Sequence, residues 1–339
     1  MSRPTKPEVP WSRWHARLHK GLIRNHDLLP KGSSLLLSIS GGQDSMALLK
    51  LIVDLRRLYE WKIFIWHGDH GWHKQSTQIA TGLKEWCNNQ ELRFVSERAT
   101  KEKIHSEQAA RNWRYECLTA HAQLLSQQNQ SSPCHYVLTG HTSTDRAETL
   151  LLNLSRGTHL SGLGSLKSSR TLSGQIKLVR PLLIFSREDT AQICKEMDLP
   201  VWLDPSNSNM RISRNRIREE VIPVLETLHP GSTRRIASLA ERLGSLKDDQ
   251  EALTILAIEA IKDSEGLSRQ KVISLPRNTR RTVFAKWLKQ SGVPALKASQ
   301  LEDISHSTSA RMAPGNRQLA NGWIITWNRE SIQLFNRHN

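Results

Sequence analysis

Ser40-Gly41-Gly42-Gln43-Asp44-Ser45 stands between an apolar run, Ser34–Ser40, and a long stretch of helical periodicity from Asp44 to Tyr59. Two adjacent glycines let the backbone turn tightly and approach a ligand with no Cβ in between. The helix that follows presents unpaired N–H groups and the positive end of its dipole, an anion site suited to phosphate oxygens. Ser40 and Ser45 add hydroxyl donors. Asp44 fits such a site if it meets a cation, for example Mg²⁺ on a nucleotide, or if it caps the helix. A plain strand-to-helix turn with Asp44 or Ser45 as N-cap accounts for the same residues without a ligand. Two other phosphate loops are excluded. The chain has no GxxxxGK followed by Ser or Thr, and Gly162-Leu163-Gly164 does not continue to a third glycine at dinucleotide spacing.

Further groups could join such a site. His67, Asp69, His70 and His73 follow a second strand, Trp61–His67. By ligand type they suit a metal; as neighbours at a strand end they suit a rim of hydrogen bonds. Arg111 and Arg114 lie three residues apart on one helix face. That spacing clamps a phosphate or leaves both in solvent. His141, Asp145 and Glu148 follow the strand His135–Thr139, where ligand groups collect at the carboxyl end of an open sheet. Asp145 and Glu148 share a helix face, so both carboxylates converge on one point. Such a pair can bind an ammonium group and draw off its proton, or it can simply answer the helix dipole. Arg211, Arg214, Arg216 and Arg218 put four guanidiniums in eight residues. They suit a nucleic-acid backbone or a solvated face between domains. Arg277, Arg280, Arg281, Lys286 and Lys289, with Trp287 among them, form a second basic group suited to RNA.

The elements that must position these groups are legible as alternating patterns. Trp11–Leu29 has helical spacing. Ser34–Ser40, Trp61–His67, Arg93–Ser96 and His135–Thr139 read as strands, separated by helical stretches at Asp44–Tyr59, Gln75–Gln90 and Glu107–Gln127 and followed by another at Ser143–Ser155. This alternation predicts an α/β fold, an open parallel sheet with helices on both faces. After the polar cluster Asp204–Arg211 the character changes. Ser213 is placed to cap a helix with Ile217, Val221 and Val224 inward and Pro223 kinking or ending it. Helical patterns continue to about Ile261, and a hairpin is predicted at Trp323–Trp327 and Ser331–Phe335. The expected organisation is an N-terminal lead and helix (1–30), a catalytic sheet domain (31–212) and a smaller helical and mixed C-terminal domain (213–339).

Composition narrows the partners. The chain has 339 residues, with 48 Lys+Arg against 32 Asp+Glu, a formal net charge of +16. Such a field attracts phosphate-rich surfaces. No apolar stretch approaches the roughly 18 residues of a membrane span. The four cysteines, Cys87, Cys117, Cys134 and Cys194, are scattered with no CxxC, which disfavours a zinc ribbon or an iron–sulfur cluster. Met1–Trp11 is polar and proline-rich, without the apolar core of a secretory signal. A reduced, cytoplasmic setting is expected.

The segment SGGQDS resembles the pyrophosphatase loop (PP-loop) of the N-type ATP pyrophosphatases, which cleave ATP between the α and β phosphates and activate a carbonyl as an adenylate. Among them, further segments resemble the tRNA(Ile)-lysidine synthase family. These are His67-Gly68-Asp69-His70-Gly71; Ala110-Arg111-Asn112-Trp113-Arg114-Tyr115; Gly140-His141 through Asp145-Arg146-Ala147-Glu148-Thr149 to Arg156-Gly157; Arg180-Pro181-Leu182-Leu183; and Asp204-Pro205-Ser206-Asn207 with Arg214-Asn215-Arg216-Ile217-Arg218. The similarity runs from about Leu35 to Leu225. Arg146 departs from the family's usual Gln, and Trp72-His73 from its usual Leu-Arg.

The resemblance implies ATP and Mg²⁺ as cofactors, with Asp44 as a candidate metal ligand. It implies nucleotide contacts from Ser40, Gly41, Gly42, Gln43, Asp44, Ser45, His67, Asp69, His70 and His141. Asp44, Asp145, Glu148, Arg111 and Arg114 become catalytic candidates, and Arg211, Arg214, Arg216 and Arg218 tRNA contacts. The implied partners are L-lysine and an isoleucine tRNA with a CAU anticodon, whose wobble cytidine becomes lysidine. Neither a membrane nor a stable protein partner is implied, and a homodimer is compatible. Two rivals stand beside this reading. A tRNA thiolase is disfavoured by the scattered cysteines, and a non-catalytic basic RNA-binding protein by the intact loop and acids.

Overall fold

Strand β1 (Ser34–Ser38) is apolar at every interior position because both of its faces are covered. Leu35 and Leu37 enter one core and Leu36 the other. The computed structural model describes residues 11–71, 76–100, 106–158, 160–164, 166–202, 209–264, 266–309 and 312–337. It divides into two units, Met1–Gly244 and Ser245–Asn339.

The first unit opens with α1 (Arg13–Arg24) and continues through β1, α2 (Gln43–Tyr59), β2 (Lys62–Asp69), α3 (Ser76–Asn89), β3 (Arg93–Arg98), α4 (Glu107–Gln128), β4 (Tyr136–Thr139) and α5 (Ser143–Ser155). A single turn, α6 (Leu160–Leu163), precedes β5 (Ser169–Ser173), β6 (Ile176–Val179) and α7 (Arg187–Glu196). The strands pair in the order β3-β2-β1-β4-β6-β5, all parallel except that β5 runs antiparallel to β6. The α/β frame is the one the alternation predicts.

β5 and β6 are the strands the sequence reading lacked. They are short and joined through Gly174, whose φ of +51° closes a tight turn. α2 is buried almost all round, from Met46 to Leu55, among the residues that α1, α3 and the sheet contribute to one core. On the other sheet face, α4 sets Trp113, Leu118 and Ala122 against Leu36, Trp66 and Val137. The chain winds outward one way through β2 and β3, then returns to β4 on the far side of β1. The carboxyl ends of β1, β2 and β4 therefore surround a crevice at the reversal point.

The segment after Ser213 groups with this first unit. α8 (Ser213–Arg216) runs into a π-helical turn, Ile217–Val221, and then α9 (Ile222–Leu228). Ile212, not Ser213, is the N-cap. The wider turn shifts the inward face by one residue: Ile222 is buried, while Val221 and Val224 are exposed. Pro223 sits in the first turn of α9, where its missing N–H costs little.

α10 (Ser232–Ile261) carries the chain into the second unit, which holds α11 (Arg269–Ser274), α12 (Arg277–Gln290) and α13 (Ala298–Ser307). Its sheet is antiparallel in the order β7-β10-β9-β8, from β7 (Leu267–Ser268), β8 (Gly315–Gln318), β9 (Trp323–Trp327) and β10 (Ser331–Asn336). β9 and β10 form the predicted hairpin. The core gathers Phe284, Leu288, Ile304, Ile325 and Ile332. Trp287 belongs to that core too, so its ring is not offered to RNA. Buried Arg269 ties the loops together by donating to the carbonyls of Thr308, Asn328, Ser309 and Met312. Arg269→Met should therefore lower stability by about 3 kcal/mol, since it strands buried carbonyls. The expected readout is an earlier urea midpoint, and an unmoved midpoint would deny the tie.

Candidate active site

The loop between β1 and α2 is held from within. The Ser45 hydroxyl accepts from the N–H groups of Ser40 (3.2 Å) and Gly41 (3.1 Å) and donates to the Gly42 carbonyl (2.8 Å). Ser40 Oγ donates to the same hydroxyl at 3.2 Å. Both serines shape the loop, and neither Ser45 nor Asp44 caps the helix. Gly42 is the N-cap and has no side-chain cap, so the first-turn amides of α2 face the crevice as donors for an anion. Gly41 has φ +89°, and a Cβ there would meet Ile79 at 2.9 Å. Gly140, after β4, is pressed on the same turn: its Cβ would stand 2.8 Å from the Asp44 carbonyl oxygen.

Asp44 points across to α7. Arg187 donates to one carboxylate oxygen at 2.8 Å, and the Thr190 hydroxyl to the other at 2.5 Å. Burial pushes its carboxyl above the usual range, helped by the nearby Asp145 charge and offset in part by Arg187 and Thr190. The sequence reading missed both partners, which lie more than 140 residues away. One local signal was available. Ser186 and Asp189 form a capping box that starts α7 and fixes the first-turn position of Arg187.

The groups after β2 form a hydrogen-bonded rim. His67 Nδ1 donates to the Ile39 carbonyl at 2.7 Å, and burial pushes its imidazole below the usual range, so the ring is neutral. Asp69 accepts the Gly71 N–H at 2.7 Å. His70 Nε2 lies 2.9 Å from Arg114 Nη2 and accepts from it. His73 and the segment Asp204–Asn207 lie outside the described residues.

The acids after β4 are already engaged. Asp145 closes a capping box on Thr142, accepting its N–H at 2.7 Å. Its other oxygen accepts from Arg214 at 2.7 Å. Glu148, at 0% exposure, accepts from Arg214 Nε at 2.7 Å and Arg218 Nε at 2.6 Å. Burial pushes the Asp145 carboxyl up, but Arg214, His141, the Thr142 amide and Arg218 together outweigh it and hold the group below the usual range. His141, bonded to Thr139 Oγ1 at 2.9 Å, is pushed down to about 3 by burial.

A cavity of about 250 Å³ collects Ser40, Asp44, Ser45, His67, Asp69, His70, Arg114, His141 and Asp145. Other residues singled out in the sequence lie elsewhere. Arg111 is not among the lining residues, and its guanidinium lies over the Tyr115 ring at 5.2 Å. Glu148 is sealed behind Asp145 by the two arginines. Arg214 and Arg218 face these acids, whereas Arg211 is exposed and exposed Arg216 pairs with Glu220 at 2.8 Å. Buried Arg146 donates to the Leu166 carbonyl and meets Glu241 at 3.2 Å. In the second basic group, Arg277 and Lys286 already pair with Glu302 and Glu251.

Comparison with known proteins fits this geometry. Residues 15–225 match the PP-loop domain family. Over 336 residues the chain is 55% identical to a tRNA(Ile)-lysidine synthase of Prochlorococcus marinus, covering 99% of this chain and 100% of that protein. It is 46% identical to one of Parasynechococcus marenigrum, covering 96% and 95%. A solved U34-tRNA thiolase from Methanococcus maripaludis shares the fold, with a TM-score of 0.55 at 19% identity over 68% of this chain and 78% of that one.

Two outcomes are expected. Gly140→Ala should push the first turn of α2 off the cavity and weaken nucleotide binding by about tenfold or more, as one displaced charge-assisted hydrogen bond is worth about 1.5–3 kcal/mol; unchanged binding in a titration would refute the contact. The His141 imidazole resonances should not titrate between about pH 5 and 8, since the ring is unprotonated throughout that window; a midpoint near 6.5 would show it solvated.

Proposed function

The chain belongs to the tRNA(Ile)-lysidine synthase family, and on that footing we propose how its residues divide the work. The reaction joins lysine to the wobble cytidine of an isoleucine tRNA with a CAU anticodon. The C2 carbonyl oxygen of the base attacks the α-phosphate of ATP, and pyrophosphate leaves. The lysine ε-amine then bonds to C2, AMP leaves, and lysidine remains. The enzyme works where its tRNA is, in the cytoplasm.

The first-turn amides of α2, set free by the uncapped Gly42, hold the phosphates of ATP. The rim of His67, Asp69 and His70 closes over the nucleotide, and Arg114, oriented by His70, stabilises charge on the transferring phosphoryl group. Asp44 suits Mg²⁺, a hard cation that takes carboxylate and phosphate oxygens; the Arg187 guanidinium already seated on it marks a carboxylate that takes a cation. When bound, Mg²⁺ supplies charge that offsets the departing pyrophosphate.

Asp145 supports the reading of lysine as the nucleophile. It lines the cavity beside neutral His141, and its carboxyl stays below the usual range. Such a group is a strong seat for an ammonium and a weak acceptor of its proton, so recognition is its work more than deprotonation. Glu148 stands behind it and holds Arg214 and Arg218 in place. These two arginines act through the acids, which leaves exposed Arg211 and Arg216 to meet the tRNA backbone.

The test is direct. Given ATP, lysine and tRNA(Ile) transcript, the purified chain should release AMP only when both lysine and tRNA are present. AMP release that ignores lysine would favour a thiolase-like activity, and none at all a binding protein. Asp145→Asn should raise KM for lysine by about 10- to 100-fold, the worth of one charge-assisted hydrogen bond. An unchanged KM would remove Asp145 from the amino-acid site.

A further inference from the structure

Tyr115 stands at the centre of a group that the cavity does not use. The guanidinium carbons of Arg111 and Arg170 lie 5.2 Å and 4.7 Å from its ring centroid. Burial pushes its phenol up, but the charges of Arg111, Arg180 and Arg170 outweigh it and hold the group below its usual range. Arg180 is buried, at 2% exposure. Its Nη1 donates to the Lys167 carbonyl at 2.7 Å, while its Nε is buried with no hydrogen-bond partner. Among the described residues no carboxylate pairs with Arg111, Arg170 or Arg180. The charges that weigh on Arg180 from Arg111 and Arg170 are of its own sign. Elsewhere in this unit buried Arg146 meets Glu241, and half-buried Arg214 and Arg218 meet acids. Three guanidiniums around one phenol, one of them sealed from water, lack a negative charge.

The location says what supplies it. Arg170 is exposed on β5, the edge strand of the sheet, outside the cavity. Arg111 is one helical turn from Arg114, which lines the cavity. The charges of Arg111 and Arg180 reach His141, another lining residue. The group therefore flanks the cavity at its His141 end and opens toward solvent at Arg170.

We propose that Arg111, Tyr115, Arg170 and Arg180 form a seat for a phosphodiester of the RNA strand, beside the nucleotide whose base enters the cavity. This rests on the reading of tRNA as the substrate. A base that leaves its stack to react must have its flanking backbone held. Guanidinium forks match phosphate oxygens in pairs, and two of them lie against the Tyr115 ring. The carboxylate of a free amino acid is the other anion present, but one bound at Asp145 lies inside the cavity, away from the edge strand.

Arg170→Ala tests the seat, because the residue is exposed and its loss leaves the cores intact. Binding of tRNA(Ile) transcript to the full chain is followed by fluorescence anisotropy across a salt series. The expected result is about fivefold weaker binding, a slope of log Kd against log salt smaller by about 0.7, the contribution of one single-strand phosphate, and an unchanged KM for lysine. Arg170→Lys should restore the slope but not the full affinity. Unchanged affinity and slope in Arg170→Ala would overturn the seat, and so would a raised KM for lysine with intact tRNA binding. If the wild type releases AMP in response to lysine and tRNA, such a result removes the seat alone; if it does not, the substrate reading itself has failed.

Discussion

Glu148 is a carboxylate with no access to water, and Arg214 and Arg218 reach it from 66 and 70 residues further along the chain. Moving such a group into the interior is tolerated only where its charge is answered and its oxygens are hydrogen-bonded. That requirement orders much of the rest. It draws the segment after Ser213 back onto α5, so that this stretch packs with the sheet unit. It occupies two arginines that in the sequence alone look like solvated contacts for nucleic acid. It also fixes Arg214 at 2.7 Å from Asp145, which keeps that carboxyl below its usual range against the push of burial.

The cavity thus contains two aspartates with opposite tendencies. Asp44 is raised by burial and by the neighbouring Asp145 charge. Asp145 is lowered because arginines, a backbone amide and His141 together outweigh burial. Each carboxylate already meets a guanidinium, Arg187 on one side and Arg214 on the other. The site is therefore built around cations at two points, with uncapped helix amides between them for an anion. Under the proposed function, the triphosphate of ATP meets the amides and the amino group of lysine meets Asp145.

Much of the fold was legible because strands buried on both faces and helices of regular period leave strong patterns. Ser34–Ser38 and the helix from Gln43 to Tyr59 are examples. The phosphate loop was legible for another local reason: adjacent glycines between a strand and a helix leave backbone amides open to an anion. The rest depends on contacts between distant segments. Nothing near Asp44 announces Arg187 or Thr190. Nothing near Arg214 announces that its partner is an acid of α5 and not a phosphate. The shifted face at Ile222 comes from a π-helical turn that a fixed 3.6-residue period cannot register. β5 was too polar and β6, at four residues, too short to stand out, and the arginines around Tyr115 come together only when that hairpin closes the sheet.

The most direct measurement is a double-mutant cycle on unfolding free energy between Glu148→Gln and Arg218→Gln. If a buried charge answered by these arginines holds the catalytic edge together, the two changes should couple by about 2 kcal/mol or more, each single variant stranding the other group. Additivity within about 0.5 kcal/mol would mean that the pair is incidental and that the segment after Ser213 is held by something else.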